Sequence, residues 1–318
     1  MNCFVTGGAG FIGSHLVDRL LSLGHQVVVF DNLSTGQLDF LSLASVSRSF
    51  SFVLGDVLDL PVLSGAMRGC DFVFHLAANA DVRFGTAHPR KDLEQNTIGT
   101  FNVLEAMRAN GLKDIAFSST GSIYGEPQVF PTPEDAPFPV QTSLYAASKL
   151  AGEGLIEAYS EGFGFRGFIF RFVSILGERY THGHVFDFYN QLRDHPAYLD
   201  VLGDGNQRKS YLYVQDCIDA VLLAIKSSSL KVNVFNLGTD EYCSVKSSIS
   251  WITQELGIEP QVRYSGGERG WIGDSPFIWL SSARMRSVGW CPQLTIRDAV
   301  IRTVRYLRDN PAVLNGKT

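Results

Sequence analysis

The stretch Val5-Thr6-Gly7-Gly8-Ala9-Gly10-Phe11-Ile12-Gly13 decides the fold that this sequence predicts. Its G-x-x-G-x-x-G pattern follows an apolar run, Asn2–Thr6, and opens a helical pattern over Phe11–Leu23. Glycines let the backbone turn tightly and approach a bound pyrophosphate, and the first N–H groups of the helix can donate to it. The stretch therefore predicts a strand, turn and helix that bind a dinucleotide.

An acid at position 31 indicates which dinucleotide is bound. Asp31 follows a second β-rich run and lies 18 residues after Gly13, close to the spacing of an acid that binds the adenine ribose hydroxyls. A carboxylate there repels the 2′-phosphate of NADP, and Asn32-Leu33-Ser34 offers no arginine to bind one. The sequence predicts NAD as the cofactor, and the alternative is that Asp31 is an ordinary turn residue.

Further β-rich runs alternate with helical patterns along the chain. The runs are Gln26–Phe30, Phe50–Leu54, Asp71–Leu76, Asp114–Ser118, Arg166–Phe172 and Asn233–Leu237. The helical patterns between them are Leu60–Arg68, Asp92–Asn110 and one that begins near Leu144. Such alternation predicts βαβ units. The fold class is therefore α/β, a Rossmann-type, doubly wound parallel sheet.

The pattern becomes irregular after Val173, with glycines, aromatic residues and shorter helices. We expect an NAD-binding Rossmann domain made of residues 1–173 and 206–240. A smaller, mixed α/β C-terminal lobe, made of residues 174–205 and 241–318, would bind the substrate. The alternative is one domain with long loops.

Composition excludes several classes of function. The 318 residues are 45% hydrophobic and 19% charged, which is typical of a globular protein. The net charge is −5 and no Lys/Arg run stands out, so we expect no nucleic-acid partner. No apolar stretch is long enough for a membrane span, and the N-terminus lacks the basic region of a signal peptide. Five scattered cysteines without a CxxC pair predict neither a disulfide framework nor a zinc site and favour the cytoplasm.

A phenol and an ammonium lie four residues apart in Tyr145-Ala-Ala-Ser-Lys149 and share one face of the predicted helix. Free tyrosine has a pKa near 10, too high for a base at neutral pH. A cation at about 4 Å contributes on the order of 4 kcal/mol, so we expect Lys149 to lower the pKa of Tyr145 by roughly three. The pair could then take a proton from an alcohol while hydride leaves the same carbon. An exposed helix face is the alternative.

A chance Tyr–Lys match is improbable beside the glycine turn and Ser118-Ser119-Thr120, which ends a predicted strand. A hydroxyl from Thr120 could hydrogen-bond the same substrate oxygen as Tyr145. His182 and His184 flank Gly183, but no third ligand clusters with them in the sequence, so no metal site is predicted.

Together these residues resemble the extended short-chain dehydrogenase/reductase family, in its NAD-dependent nucleotide-sugar epimerase branch. The resemblance covers nearly the whole chain and is specific through the combination of its motifs. The motifs are Gly7–Gly13, Asp31-Asn32, Gly55-Asp56-Val57, His75-Leu76-Ala77-Ala78, Asn96, Ser118-Ser119-Thr120, Tyr124-Gly125, Tyr145–Lys149, Gly203-Asp204-Gly205 and Gly273-Asp274.

The resemblance implies 4-epimerisation of a UDP-hexose through a transient 4-keto sugar, by a cytoplasmic homodimer formed through helices near Asn96–Met107 and Leu144–Tyr159. Thr120, Tyr145 and Lys149 would be catalytic. The implied NAD-binding residues are Gly7, Gly10, Phe11, Ile12, Gly13, Asp31, Asn32, Ser34, Gly36, Asp56, Val57, Leu76, Ala77, Ala78, Asn96, Ser118, Tyr145 and Lys149. The implied substrate-binding residues are Thr120, Tyr145, Ser174, Lys209, Tyr211, Arg269, Asp274 and Ile278.

The resemblance also implies specific roles for several of these residues. Asp56 and Val57 would bracket the adenine, Ala77 and Ala78 would line the dinucleotide path, and Asn96 would hold nearby backbone in place. Ile278, four positions after Asp274, would lie near the sugar and limit its size. An isoleucine there favours UDP-glucose with partial acceptance of an N-acetylated sugar, and the alternative is a core residue that points away.

Two positions depart from the family pattern. Ser174 stands where many relatives carry an asparagine that contacts the diphosphate, and Lys209 stands at an arginine position. Lysine still neutralises phosphate, but as a point charge without the arginine fork. Both changes leave the identity of the nucleotide open.

The two residues after Thr120 narrow the choice of reaction. Relatives that dehydrate or decarboxylate the sugar usually place an acid there, whereas this chain has Gly121-Ser122. We therefore expect epimerisation, and keep another nucleotide-sugar oxidoreductase or dehydratase as the alternative. A non-catalytic dinucleotide sensor is a third hypothesis, against which the Tyr145–Lys149 pair argues.

Overall fold

The computed structural model describes residues 1–138 and 140–315. Pro139 and the last three residues of the predicted C-terminal lobe, 316–318, lie outside the described residues. In chain order the strands are β1 (Asn2–Thr6), β2 (Gln26–Asp31), β3 (Phe50–Leu54), β4 (Phe72–His75), β5 (Asp114–Thr120), β6 (Arg166–Phe172), β7 (Ser174–Leu176), β8 (Tyr198–Val201), β9 (Arg208–Lys209), β10 (Tyr211–Tyr213), β11 (Val232–Leu237), β12 (Cys243–Ser244), β13 (Gln261–Tyr264) and β14 (Phe277–Ile278).

The helices connect these strands. In chain order they are α1 (Phe11–Ser22), α2 (Ser42–Ser45), α3 (Leu60–Ala66), α4 (Val82–Ala87), α5 (Pro89–Asp92), α6 (Gly99–Asn110), α7 (Leu144–Phe163), α8 (His184–Asp194), α9 (Val214–Ser227), α10 (Val245–Leu256), α11 (Ala283–Ser287) and α12 (Ile296–Asp309). A π-helical stretch covers Leu93–Ile98, and 3-10 turns cover Leu38–Leu41, Gly121–Tyr124 and Pro311–Asn315.

Among the described residues, seven parallel strands form the main sheet, in the order β11-β6-β5-β4-β1-β2-β3. The order reverses at β1, because β2 lies on one side of it and β4 on the other. The carboxyl ends of β1 and β4 therefore border a crevice, the place where open α/β sheets bind their ligands. This topology confirms the predicted Rossmann-type α/β fold.

The main sheet is apolar on both faces because helices cover both of them. In β1, Cys3 and Val5 belong to the core cluster that contains residues of α1 and α9. Phe4, between them, belongs to the opposite cluster, which contains residues of α3, α6 and α7. The strands are therefore continuous apolar runs, which is how the sequence analysis found them.

The main strands begin and end within two residues of their predicted positions. One helix differs in kind. The predicted helix over Asp92–Asn110 is divided into the end of α5, the π-helical stretch and α6. The wider π turn accompanies polar side chains that all point inward, since Asp92, Gln95 and Asn96 are buried. Hydrophobic periodicity carries no signal for such a turn.

Small sheets and helices lie before and after β11 in the C-terminal half. β7 pairs with β10, β8 with β13, and β9 lies between β12 and β14. The register of the last sheet sets Ile278 beside Lys209. In the described part of the chain, no helix is both long enough and apolar enough to cross a membrane.

Candidate active site

The glycine turn connects β1 to α1 at the crevice. Gly7 has a φ of 69°, and a Cβ on it would lie 2.6 Å from the backbone nitrogen of Ala77. Gly10 donates its N–H to the Gly7 carbonyl at 3.1 Å, and a side chain on Gly13 would collide with that same carbonyl. The glycines therefore let β1, the turn and the segment after β4 approach one another closely.

The start of α1 fits a bound anion. Gly10 is the N-cap, no side chain of the described residues caps the helix, and no acid lies in its first turn. Phe11 is buried and Ile12 is half-buried. Free N–H groups and the positive end of the helix dipole favour a phosphate at this position. A pyrophosphate group thus fits the cradle that the glycines leave.

Asp31 ends β2 and is buried beside the turn. Its Oδ2 accepts the N–H of Ala9 at 2.9 Å, and its Oδ1 accepts the N–H of Leu33 at 2.8 Å. Burial raises the pKa of Asp31, and these two hydrogen bonds oppose that rise. Each carboxylate oxygen retains a second lone pair, so the side chain can still accept a hydrogen bond from a ribose hydroxyl.

A polar cluster surrounds Asp56, just after β3. The carboxylate accepts hydrogen bonds from the Asn32 amide at 2.8 Å and from the Gln95 amide at 3.4 Å. Asn32 also accepts the N–H of Ser34, which is exposed. Val57 is buried, and Gly36 packs against Ala9, where a Cβ would lie 2.9 Å from the alanine methyl. These predicted cofactor residues form one edge of the crevice.

The segment after β4 is held from both sides. Ala77 donates its N–H to the Thr6 hydroxyl at 3.2 Å, and Leu76 and Ala78 are half-buried beside it. Asn96 accepts the Asn79 N–H at 2.8 Å and donates to the Asn79 carbonyl at 3.2 Å. Asn96 thus pairs with both backbone groups of Asn79.

The predicted catalytic residues lie together at the end of β5. Ser143 caps α7 by accepting the N–H of Ala146, which starts the helix just before Tyr145. Tyr145 is half-buried and shares a side-chain hydrogen bond with Thr120. The Lys149 ammonium donates to the Ser118 carbonyl at 2.8 Å and lies 4.7 Å from the centre of the Phe117 ring. The geometry therefore brings an acid–base candidate, a hydroxyl and a cation to one end of the sheet.

The expected lowering of the pKa of Tyr145 by Lys149 is wrong for this structure. Burial raises the pKa of Tyr145 to about 12 and the charge of Asp92 adds to the rise, whereas the Thr120 hydrogen bond opposes it. Burial also lowers the pKa of Lys149 to about 7, against the charges of Glu153 and Asp92. Desolvation disfavours the charged form of each side chain, and neither residue is among the groups that shift the pKa of the other.

The predicted substrate residues of the C-terminal half are partly brought together. Lys209 donates to the Asp274 carboxylate at 2.6 Å, and Arg269 donates to the Asp274 carbonyl at 3.0 Å. Ser174 is exposed at the start of β7. Its register neighbour Tyr211 is buried, with its ring centre 4.8 Å from that of His184.

Ile278 is half-buried in β14 and packs against the larger core cluster. It also borders a narrow crevice with Gly121 and Tyr124, which lie one and four residues after Thr120. Ile278 is thus near the end of β5 while contributing to the core.

Sequence analysis missed a buried ion pair between α7 and β6. Arg171 forms a fork on Glu153, with a shortest contact of 2.7 Å, and the two side chains are only 4% and 2% exposed. A signal existed, because Glu153 lies four residues after Lys149 and Arg171 interrupts the apolar strand β6. Charged residues at such positions require a buried partner.

A model of the NAD dependent epimerase/dehydratase family matches residues 3–238. The UDP-glucose 4-epimerase of Mycolicibacterium smegmatis is 33% identical over 97% of this chain and 99% of its own. The structure of the Thermotoga maritima UDP-glucose 4-epimerase with UDP-glucose is 31% identical, with a TM-score of 0.88 over 98% of this chain and 100% of that one. The structure of the Thermus thermophilus UDP-glucose 4-epimerase complex with NAD is 32% identical, with a TM-score of 0.85 over 97% and 99%.

These similarities run through the crevice and the small C-terminal sheets alike. The resemblance to nucleotide-sugar epimerases and the prediction of an NAD-dependent enzyme are thereby confirmed at the level of the family. The chain belongs to the NAD dependent epimerase/dehydratase family.

Proposed function

We propose that this protein is an NAD-dependent UDP-hexose 4-epimerase that interconverts UDP-glucose and UDP-galactose. The observation that carries the proposal is the convergence of Tyr145, Thr120 and Lys149 at the carboxyl end of β5. This end of the sheet also bears the glycine turn, so a sugar carbon next to the dinucleotide would meet all three side chains.

The cofactor would be held by this chain's own groups at the crevice. The N-terminus of α1 would bind the pyrophosphate, and Asp31 would bind the adenine ribose. Asp56 and Val57 would border the adenine, and Lys149 would lie at the nicotinamide ribose. When bound, NAD supplies a hydride acceptor and donor together with a positive charge.

Tyr145 would exchange the proton of the sugar C4 hydroxyl. Thr120 would hold the same oxygen through its hydroxyl. A 4-keto sugar that turns over in the site would accept the hydride on the other face of C4, while Tyr145 returns the proton to the C4 oxygen. The raised pKa of Tyr145 in this structure means that the phenolate depends on nearby positive charge.

Epimerisation is favoured over elimination by the residues that follow Thr120. Gly121 and Ser122 carry no acid, and the next carboxylate in the chain, Glu126, is paired with Arg269. Dehydration or decarboxylation needs a further acid or base beside the sugar, which these residues do not offer. Another nucleotide-sugar oxidoreductase or dehydratase remains the alternative function.

The UDP moiety would lie against the C-terminal half. We infer that Lys209 supplies the charge that meets the diphosphate, and that Arg269 and Asp274 fix the loop around it. Ser174, Tyr211 and Ile278 would complete that side of the site. The proposed lobes remain residues 1–173 with 206–240 for NAD, and residues 174–205 with 241–318 for the nucleotide sugar.

We also propose a homodimer built from α6 and α7, in the cytoplasm. Large apolar side chains are exposed on or next to these helices, at Ile98, Phe101 and Leu144. Ala147 and Ala151 are exposed on α7 near Leu144. Exposed apolar surface of this kind is typical of a protein–protein interface.

The test is incubation of the purified protein with a panel of UDP-hexoses, without added cofactor, followed by NMR of the sugar products. We expect UDP-glucose and UDP-galactose to interconvert without net consumption of NAD. Mass spectrometry of the same samples reports loss of water or carbon dioxide from the sugar. Either loss would support the alternative and overturn the epimerase proposal.

A further inference from the structure

Three consecutive residues at the end of β5 each contact α7. The Ser118 carbonyl accepts the Lys149 ammonium, and Thr120 shares its hydrogen bond with Tyr145. Between them, the Ser119 hydroxyl donates to the Glu153 carboxylate. The contact of Ser119 therefore lies between the two contacts that orient the predicted catalytic residues.

The carboxylate that holds Ser119 is itself fixed from β6. Arg171 donates to Glu153 through Nε at 3.1 Å and 3.2 Å and through Nη2 at 2.7 Å. The remaining nitrogen, Nη1, donates to the Tyr124 hydroxyl at 2.7 Å and to the Glu134 carbonyl at 2.8 Å. A two-bond fork of this kind fixes direction as well as distance.

We propose that Glu153 and Arg171 form a positioning pair that fixes the end of β5 against α7 and so sets the placement of Thr120 and Lys149. Neither residue touches the reacting atoms in this proposal. Both act through Ser119 and through the charge that Glu153 presents to Lys149. The effect on turnover rests on the proposed function, whereas the effect on Lys149 does not.

Lys149 is surrounded by few groups that can balance its charge. Glu153 on α7 and Asp92 on α5 favour its protonated form. His75 on β4 is neutral, because burial and then the charge of Lys149 lower the pKa of that imidazole to about 3. The Phe117 ring and the Ser118 carbonyl also contact the ammonium. Loss of the Glu153 charge should therefore lower the pKa of Lys149.

Three variants separate the parts of this arrangement. Ser119→Ala removes the hydroxyl and leaves the ion pair, while Glu153→Gln removes the charge and leaves an acceptor for Ser119. Glu153→Leu with Arg171→Met replaces the pair by apolar side chains, which often preserves stability where a single deletion does not. Asp114→Asn is the control, because it breaks the Arg166 fork at the opposite end of β5 and β6.

The measurements are kcat and KM across pH, the unfolding temperature, and the pKa of Lys149 from ¹⁵N NMR of labelled lysine without substrate. We expect kcat of Ser119→Ala and of the double variant to fall about 10- to 100-fold, since small misplacements cost that much, with KM nearly unchanged. In Glu153→Gln the pKa of Lys149 should fall, and the alkaline limb of the rate profile should move to lower pH. Asp114→Asn should keep wild-type kcat.

Wild-type kcat in both Ser119→Ala and the double variant, or an unchanged pKa of Lys149 in Glu153→Gln, would overturn the positioning role. If the wild-type protein turns over no UDP-hexose, the proposed function fails instead. The substrate-free NMR titration then still decides whether Glu153 acts on Lys149. If Glu153→Gln or the double variant fails to fold, kcat of Ser119→Ala decides the positioning role, because that substitution removes only a single oxygen atom.

Discussion

At the scale of single residues, Tyr145 is the group whose chemistry matters most. Its side chain is half-buried and hydrogen-bonded to Thr120, and burial raises its pKa to about 12. We predict that Tyr145→Phe lowers kcat at least about 100-fold, the usual effect of losing a general acid–base, while the unfolding temperature stays near that of the wild type. Steady-state kinetics and circular dichroism check this. Near-wild-type turnover would assign the proton transfer to another residue.

Ile278 has two predicted roles, to limit the size of the sugar or to pack in the core. It packs against the core and also borders the narrow crevice next to Gly121, so a larger side chain would crowd the residues that follow β5. We predict that Ile278→Tyr weakens UDP-N-acetylglucosamine more than UDP-glucose, because a steric clash costs on the order of 1–3 kcal/mol. The ratio of kcat/KM for the two sugars measures the effect. An equal loss for both sugars would assign Ile278 to the core alone.

Residue types and spacing predicted the catalytic set more readily than its electrostatics. Tyr145, Lys149 and Thr120 could be chosen from the sequence, because a helix face and a strand end are local features. The pKa of Tyr145 could not, since it depends on burial and on Asp92, which is far from it in sequence. Glu153 and Arg171 were missed for the same reason, as their pairing joins α7 to β6.

At the scale of elements, the glycine turn gives a sharp test. A side chain on Gly13 would meet the Gly7 carbonyl, so we predict that Gly13→Ala separates α1 from the turn and reduces the NAD that copurifies with the protein. Gly65→Ala is the control, because nothing lies within 4 Å of a Cβ at that helical position. It should retain NAD and gain about 0.5–1 kcal/mol in stability. Full NAD content in Gly13→Ala would contradict the proposal that the glycine turn binds the pyrophosphate.

The sequence predicted the long elements well and the short ones poorly. Apart from the edge strand β3, the main strands are largely apolar runs buried on both faces, and this pattern is strong over five or six residues. The short strands β9, β12 and β14 have two residues each and form through pairing with distant partners. No local pattern specifies such pairs, so the C-terminal half was predicted only as a mixed α/β region.

At the scale of the whole molecule, the buried His75 and the half-buried His184 make stability depend on pH. Burial lowers the pKa of His75 and of His184 to about 3, and the charges of Lys149 and of Lys209 add to the respective shifts. The unfolded chain binds protons from pH 6.5 downward, whereas the folded chain does not. The contribution of the two histidines to stability is therefore complete above pH 6.5 and falls toward pH 3, by up to about 1.4 kcal/mol per pH unit for each.

We predict that His184→Asn reduces this dependence. Its imidazole lies 2.8 Å from the Ser248 hydroxyl, so the variant loses some stability at neutral pH but no longer gains a proton on unfolding. Urea unfolding of both proteins at about pH 6 and about pH 5 should show a smaller difference in the variant. Equal differences would mean that His184 does not take up a proton when the chain unfolds.

The proposed dimer is tested on α7. We predict that Ala151→Glu, on its exposed face, converts dimer to monomer, because a charge would be buried without a partner. Sedimentation velocity measures the change. Ser250→Glu, at an exposed position of α10, is the control and should leave the mass unchanged. A wild-type protein that sediments as a monomer would contradict the dimer itself.

The position of β11 in the main sheet has a consequence for synthesis of the chain. β11 pairs with β6 over its full length, from Val232 to Leu237, although most of the sheet precedes residue 173. A nascent chain therefore cannot complete the sheet until residue 237 has left the ribosome. The dinucleotide-binding turn emerges well before that point. Until then β6 is an open edge, and open edges pair with other chains. Folding during translation thus depends on protecting β6 while residues 174–231 are being made.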